Sequence, residues 1–464
     1  MRTKIVLTWV FILSAVLLFT AGPARGIQGF AQERDAYDII ITGGTIVDGT
    51  GRPAFHGDIG IKNDRIEVVG VVAGDMSAHT ILDAENMIVC PGFIDIHTHA
   101  DRNIVWDRPA SNFVMQGITT LLGGNCGGGA YPVGDFLARA NDDGVGPNIG
   151  LLVGHGDIRR LVMGMENRAP TPEEMDEMKA LVRRAMEEGA MGLSSGLQYT
   201  PGNYADLNEL VELCRVVAGY GGLYASHVRE YSHSVRQSWQ EAIATSEHSG
   251  ARMTISHAKV VGRDYWGASR ELIDMLHRAR ARGVNIFCDA YPYDAGQTTI
   301  VGVLIPQWVQ ADGADAMRAR LQDPALLPGI RAEIDELLSI RGGMEAVLIT
   351  RCDMDPSIER RYVNDIAAEW GVDQADAVIK IALLLGNAQA VYFNGTETDQ
   401  EVFYSSPYCT VGSDASSVLS AYYAGRLVHP RSYGTMARFL GRYVRDRGIV
   451  SLEEGIRKMT SLPA

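Results

Sequence analysis

The 464-residue chain has no excess of basic charge: 42 lysines and arginines face 56 aspartates and glutamates, a formal net charge of -14. That balance argues against a nucleic-acid partner, because phosphate binding needs a positive surface, and no basic run reverses it. The acidity reads as a solubility feature. The six cysteines (Cys90, Cys126, Cys214, Cys288, Cys352 and Cys409) include no Cys-x-x-Cys pair, which excludes a redox motif of that type and gives no disulfide framework. Most of them sit in apolar runs and read as small buried hydrophobes. Cys126 stands apart, inside a glycine-rich stretch. Beyond residue 21 no apolar run reaches membrane-spanning length, and no internal repeat or low-complexity linker is present.

The first 32 residues read as a targeting segment. Arg2 and Lys4 are followed by the nearly all-apolar Ile5–Ala21 and by small residues around Ala21-Gly22 and Ala24-Arg25-Gly26. This is the pattern of a secretory signal, with an uncleaved N-terminal anchor as the alternative. The rest of the chain is therefore expected to be exported, periplasmic or secreted, and soluble, with a membrane connection only through such an anchor.

Residues 37–91 alternate in short strands with tight turns, as in Asp38-Ile-Ile-Ile-Thr-Gly-Gly and Asp58-Ile-Gly-Ile before the Lys62-Asn63-Asp64 turn. They predict a small β domain. From residue 92 to 464 apolar strands alternate with helical stretches. Eight strands are expected at 92–99, 118–124, 149–154, 190–195, 223–227, 251–257, 284–290 and 409–413, the signature of an α/β (β/α)8 TIM-like barrel. One helix is well signalled. Thr171 and Glu174 form a capping box around Pro172, a stripe of Met175, Met178, Val182 and Met186 follows, and Gly189 ends it. Residues of about 294–350 break the rhythm after strand seven and read as an insertion over the barrel mouth, a lid.

Barrel enzymes build their sites at the C-terminal strand ends. His97 and His99 end the first strand in Pro91-Gly-Phe-Ile-Asp-Ile-His-Thr-His99, and alternation puts both on one face. Cys126 follows strand two, His227 and His257 end strands five and six, and Asp414 ends strand eight in Val411-Gly-Ser-Asp. Each alone has a plain structural explanation. Six of them at the ends of strands in one barrel point to a metal site.

This order resembles the amidohydrolase superfamily, and within it the N-acyl-D-amino-acid deacylases (D-aminoacylases). The resemblance rests on PGFIDIHTHAD, GGNCG, GLSSGLQYTPGNYA, GGLYASHVRE, ISHAK, DAYPYDAG, VGSDAS and HPRSYGTMARFLGRYVR with KMTSLPA. It implies that His97 and His99 serve one metal site, that His227 and His257 serve a second, and that Cys126 binds or bridges. Strand four, Gly192-Leu-Ser-Ser-Gly, has no lysine where many superfamily members carry a carbamylated one, in keeping with Cys126. Thiolate with imidazole favours zinc, as one or two ions. Asp414 matches the aspartate expected as metal ligand and general base/acid.

The activity implied is zinc-dependent hydrolysis of the acyl amide of N-acyl-D-amino acids, small-molecule substrates bearing a free carboxylate. Lys259 matches the lysine expected to hold that carboxylate. Arg229, two residues past His227, and Tyr199, Tyr291 and Tyr293 are further candidate contacts. Two rivals remain open: a cyclic-amide hydrolase of dihydroorotase or hydantoinase type, and a truncated non-catalytic homologue. The second is raised because relatives continue past Ala464 with strands that complete the β domain, so half a domain and an uncovered sheet edge are expected here. The loop Ala415-Ser416-Ser417 also departs from the glycine usual after the aspartate.

Overall fold

The fold, taken from a computed structural model, is described for residues 37–72, 77–385, 388–418 and 425–464. The segment read as a signal or anchor lies outside these residues. Among them, no helix is long and apolar enough to cross a membrane.

The chain divides into two units. Within the described residues the first comprises 37–44 and 57–85, the second 45–56 and everything from 86 onward. The small β domain is thus narrower than the expected 37–91, because the stretches around Thr50 and Cys90 belong with the barrel. Its sheet runs in the order β3-β2-β1-β4, formed by β1 (Tyr37–Ile46), β2 (Phe55–Lys62), β3 (Arg65–Gly70) and β4 (Ala78–Asp83). The turn between β2 and β3 is the expected one, with Asn63 at φ 53 and its amide donated to Asp38 at 2.5 Å. Ile66, Val69, Ile81 and Leu82 remain exposed on these strands.

The second unit takes in Thr45 and Ile46 at the end of β1, which pair with the short β5 (Ile88–Val89). The barrel follows: β6 (Phe93–Asp95), β7 (Ile118–Gly123), β8 (Asn148–Gly154), β9 (Gly192–Gly196), β10 (Leu223–His227), β11 (Arg252–Ile255), β12 (Ile286–Ala290), then, after an insertion, β16 (Cys409–Val411). They are parallel neighbours in chain order, the expected eight. The first strand is shorter than its apolar run, stopping at Asp95 before both histidines. Closure between β6 and β16 is made by a single bridge, Thr98 to Ala415, with the Asp414 amide donating to His97 O and the His99 amide to Ala415 O, both at 2.7 Å.

Ile96, Leu122, Leu152 and Ala225 form an apolar plug apart from the main core and beneath the polar strand ends. Each large aliphatic group so buried contributes about 1.5–3 kcal/mol. The capping-box helix forms as expected over Pro172–Glu187: the Glu174 amide donates to Thr171 Oγ1 at 3.2 Å, and Met178 and Val182 are fully buried.

The insertion is longer than the sequence suggests. It holds β13 (Gly296–Thr299), β14 (Val347–Arg351) and β15 (Gln389–Tyr392) in an antiparallel sheet of order β13-β15-β14. A hydrophobic core of its own runs from Ile300 to Tyr392. The expected end near 350 is corrected because Val347–Arg351 pairs with β15 and does not rejoin the barrel.

Candidate metal centre

Four of the six expected donors converge. One donor atom from each of His97, Cys126, His257 and Asp414 lies within 4.8 Å of all the others. Cys126 Sγ is 3.4 Å from His97 Nε2 and 3.5 Å from His257 Nε2, and Asp414 Oδ1 is 3.6 Å from His97 Nε2. His99 and His227 flank this set. His99 Nε2 meets Asp414 Oδ1 at 3.1 Å, and His227 Nε2 meets Gln198 Oε1 at 3.1 Å. The Nδ1 atoms of both are buried without a hydrogen-bond partner.

The backbone is bent to bring these donors together. Cys126, His257 and Asp414 all have positive φ (57°, 34° and 53°), three of the eight non-glycine cases among the described residues. Such positions are strained and persist only when their surroundings hold them. The cysteine loop needs its glycines. A Cβ on Gly124 would lie 2.0 Å from Leu152 O, and one on Gly127 2.5 Å from the Gly196 amide. Ser194, on strand four, donates to Gly124 O and accepts the Gly127 amide at 3.0 Å. The strand that lacks a lysine therefore braces the loop that supplies the thiol.

A second layer aims the imidazoles. Asp289 lies 3.1 and 3.2 Å from His97 Nδ1 and accepts the His257 amide at 2.8 Å. Tyr231 Oη meets His257 Nδ1 at 3.0 Å. Both rings thus keep Nε2 for the centre, the arrangement typical of metal-bound histidine. Burial holds His227 and His257 well below the usual imidazole pKa, with Lys259 adding to it. Burial also lowers His99, to about 4, helped by Arg102. These rings are neutral and have lone pairs to offer. Burial opposes the charged form of His97 too, but Asp289 and Cys126 outweigh it and raise its pKa. An incoming ion must displace that proton. For Asp414 burial pushes upward, yet Arg431 and His99 hold the carboxyl well below its usual range. The mixed sulfur, nitrogen and oxygen donors suit a borderline-soft divalent ion.

The centre opens into a cavity of about 640 Å³, lined by the barrel ends and by the insertion. Lys259 and Tyr199 line it as expected. Lys259 Nζ donates to Tyr291 Oη at 3.3 Å and sits 4.7 Å over the Tyr231 ring. Tyr291 is 97% buried behind that lysine. Arg229 is corrected: its guanidinium is committed to Glu241 at 2.8 Å and to the carbonyls of Asn203 and Ala205, away from the cavity wall. Tyr293 is corrected as well, since its hydroxyl donates to Pro430 O at 3.2 Å and it does not reach the cavity. Sequence reasoning missed Asp289, Tyr231, Gln198, Arg341 and Arg431. Arg431 donates to Asp414 Oδ2 at 2.7 Å. The only signal for Asp289 and Arg431 was their place within DAYPYDAG and HPRSYGT.

The amidohydrolase family model matches residues 80–290. The D-aminoacylase of Alcaligenes xylosoxydans xylosoxydans is 32% identical over 92% of this chain and 83% of its own length. The N-acyl-D-glutamate deacylase of the same organism is 31% identical over 93% and 83%. The crystal structure of N-acyl-D-glutamate deacylase from Bordetella bronchiseptica, with zinc and a phosphonate mimic of the tetrahedral intermediate, superposes with a TM-score of 0.78. It is 31% identical and covers 93% of this chain and 85% of that one. The chain belongs to the amidohydrolase superfamily, in its D-aminoacylase branch.

Proposed function

We propose that this protein is a zinc-dependent hydrolase of the acyl amide bond of N-acyl-D-amino acids, releasing a carboxylate and a free D-amino acid. The observation that carries the reading is the convergence of His97, Cys126, His257 and Asp414 beside a cavity that presents Lys259. Zinc, when bound, polarises a carbonyl and acidifies water, which an amide needs because it is a poor electrophile. Asp414 takes the proton of the attacking water and delivers it to the leaving amine, acting as base and then acid. Its partner Arg431 keeps it ionised and fixes one oxygen, leaving Oδ1 toward the centre. Lys259 holds the substrate carboxylate, since among the described residues it has no carboxylate within 4.0 Å. Tyr291 and Tyr231 fix the lysine in place, and Tyr199, against the His227 ring at 4.7 Å, excludes water from that wall.

The cyclic-amide alternative is disfavoured by strand four, which offers serines at its centre and no lysine. The test is a metal-quantified preparation assayed on N-acetyl-D- and N-acetyl-L-amino acids and on dihydroorotate. Turnover of the D series is expected, and turnover of dihydroorotate alone overturns the reading. We also propose export to the periplasm or beyond, on the strength of Arg2, Lys4 and the apolar Ile5–Ala21. N-terminal sequencing of protein recovered outside the cytoplasm tests it.

A further inference from the structure

The cavity wall carries five cations, Arg102, Lys259, Arg341, Arg351 and Arg431, against one carboxylate, Asp414. Arg431 is taken by Asp414, and Lys259 by the α-carboxylate in the reading above. Arg341 has no such role. It caps the insertion helix Leu327–Ile340, its amide donating to Leu337 O and Leu338 O at 3.1 and 3.0 Å. Gly342 and Gly343 follow with φ of 93° and 86°, stopping the helix at that point. The residue is 91% buried, and its Nε has no hydrogen-bond partner. Among the described residues it has no ion pair within 4.0 Å. Glu230 acts on it only through space, because Glu230 Oε2 accepts the Ser232 amide at 2.6 Å and the Ser234 amide at 3.1 Å, and Oε1 accepts the Ser232 hydroxyl.

A buried guanidinium without a partner is costly, and its planar fork matches a carboxylate. It shares the wall with Tyr199, Tyr392 and Tyr231, the ring over which Lys259 Nζ sits at 4.7 Å. We propose that Arg341 sets the side-chain specificity of the site by receiving the side-chain carboxylate of an acidic N-acyl-D-amino acid. The proposal rests on the deacylase reading. A dicarboxylate gives both Lys259 and Arg341 a partner. A neutral side chain leaves the guanidinium buried and bare, so selection works by rejection as much as by attraction.

The test compares kcat/KM of the zinc-loaded full chain on N-acetyl-D-glutamate, N-acetyl-D-aspartate, N-acetyl-D-glutamine and N-acetyl-D-norleucine. An acidic substrate should exceed D-glutamine by about 100-fold, chiefly through KM. Arg341→Met should bring that ratio to within a few-fold of one, and Arg341→Lys should fall between, with melting curves confirming folded protein. If Arg341→Met does not fold, the Arg341→Lys ratio decides. Equal use of D-glutamate and D-glutamine by the wild type overturns the specificity and leaves the deacylase reading standing. So does a preference that follows a carboxylate on the acyl group, as in N-succinyl-D-norleucine. Failure to hydrolyse any N-acyl-D-amino acid removes both.

Discussion

Asp289→Asn changes one charge and almost no volume, at a residue 99% buried between the two candidate ligands His97 and His257. The carboxylate does two jobs. Its oxygens lie 3.1 and 3.2 Å from His97 Nδ1, and Oδ1 accepts the His257 amide at 2.8 Å. Asparagine can keep one acceptor but cannot serve both from an anionic group. Loss of such a support to a metal-bound imidazole lowers metal affinity by 10- to 100-fold, about 1.4–2.7 kcal/mol. Asp289→Ala goes further, since it strands the His257 amide at a backbone already held at φ 34°, costing about 1–3 kcal/mol more in folding stability. The assay is zinc affinity by competition with a chelating dye, paired with melting curves of metal-free and loaded protein. The Asn variant should lose affinity with a small change in the metal-free melt, and the Ala variant should lose both. An Asn variant that binds zinc within twofold of wild type refutes the reasoning.

Asp414→Asn should reduce kcat by about 10²- to 10⁴-fold with zinc retained on His97, Cys126 and His257; unaltered turnover in a metal-quantified sample removes Asp414 as the base. Lys259→Ala should raise KM for substrates bearing a free carboxylate, and an equal rise for the corresponding methyl esters would discard its role as anchor. His429 should make the protein acid-sensitive. Its Nδ1 accepts the Arg431 amide and its Nε2 donates to Ala295 O, both at 3.0 Å, so the folded ring must be neutral. Burial, aided by Arg431, holds its pKa near 3. As pH falls through 6.5 the unfolded chain takes a proton that the folded one refuses, so stability is lost from there down to about 3. The loss amounts to about 2 kcal/mol by pH 5. Urea midpoints of loaded wild type and His429→Asn at pH 7, 6 and 5 should converge as pH falls; parallel curves exclude this residue.

The barrel was legible because its strands are apolar runs, and the first, second, fifth, sixth and eighth of them lead into a histidine, cysteine or aspartate. His97, Cys126, His257 and Asp414 are rare enough at strand ends to be noticed, and their meeting within 4.8 Å follows from barrel order. Their supports were not legible. Asp289 is one aspartate among many until the fold puts it beside His97, and the left-handed backbone at Cys126, His257 and Asp414 has no signature in residue type. Arg229 misled because periodicity predicts which face a residue shares and says nothing of Glu241, a helix away, which claims it. The insertion was harder still. β15 pairs with β13, which precedes it by most of the insertion, and with β14 on its other side, so the insertion's end and the position of Arg341 emerge only from tertiary pairing.

The cylinder's last seam, from Thr98 to Ala415, is sewn by the same two segments that present His97, His99 and Asp414. A cation gripping donors from both edges acts as a rivet across the join with the least backbone support. On the proposed ligand set, ion loading would reinforce closure, and chains starved of ion should come apart there first.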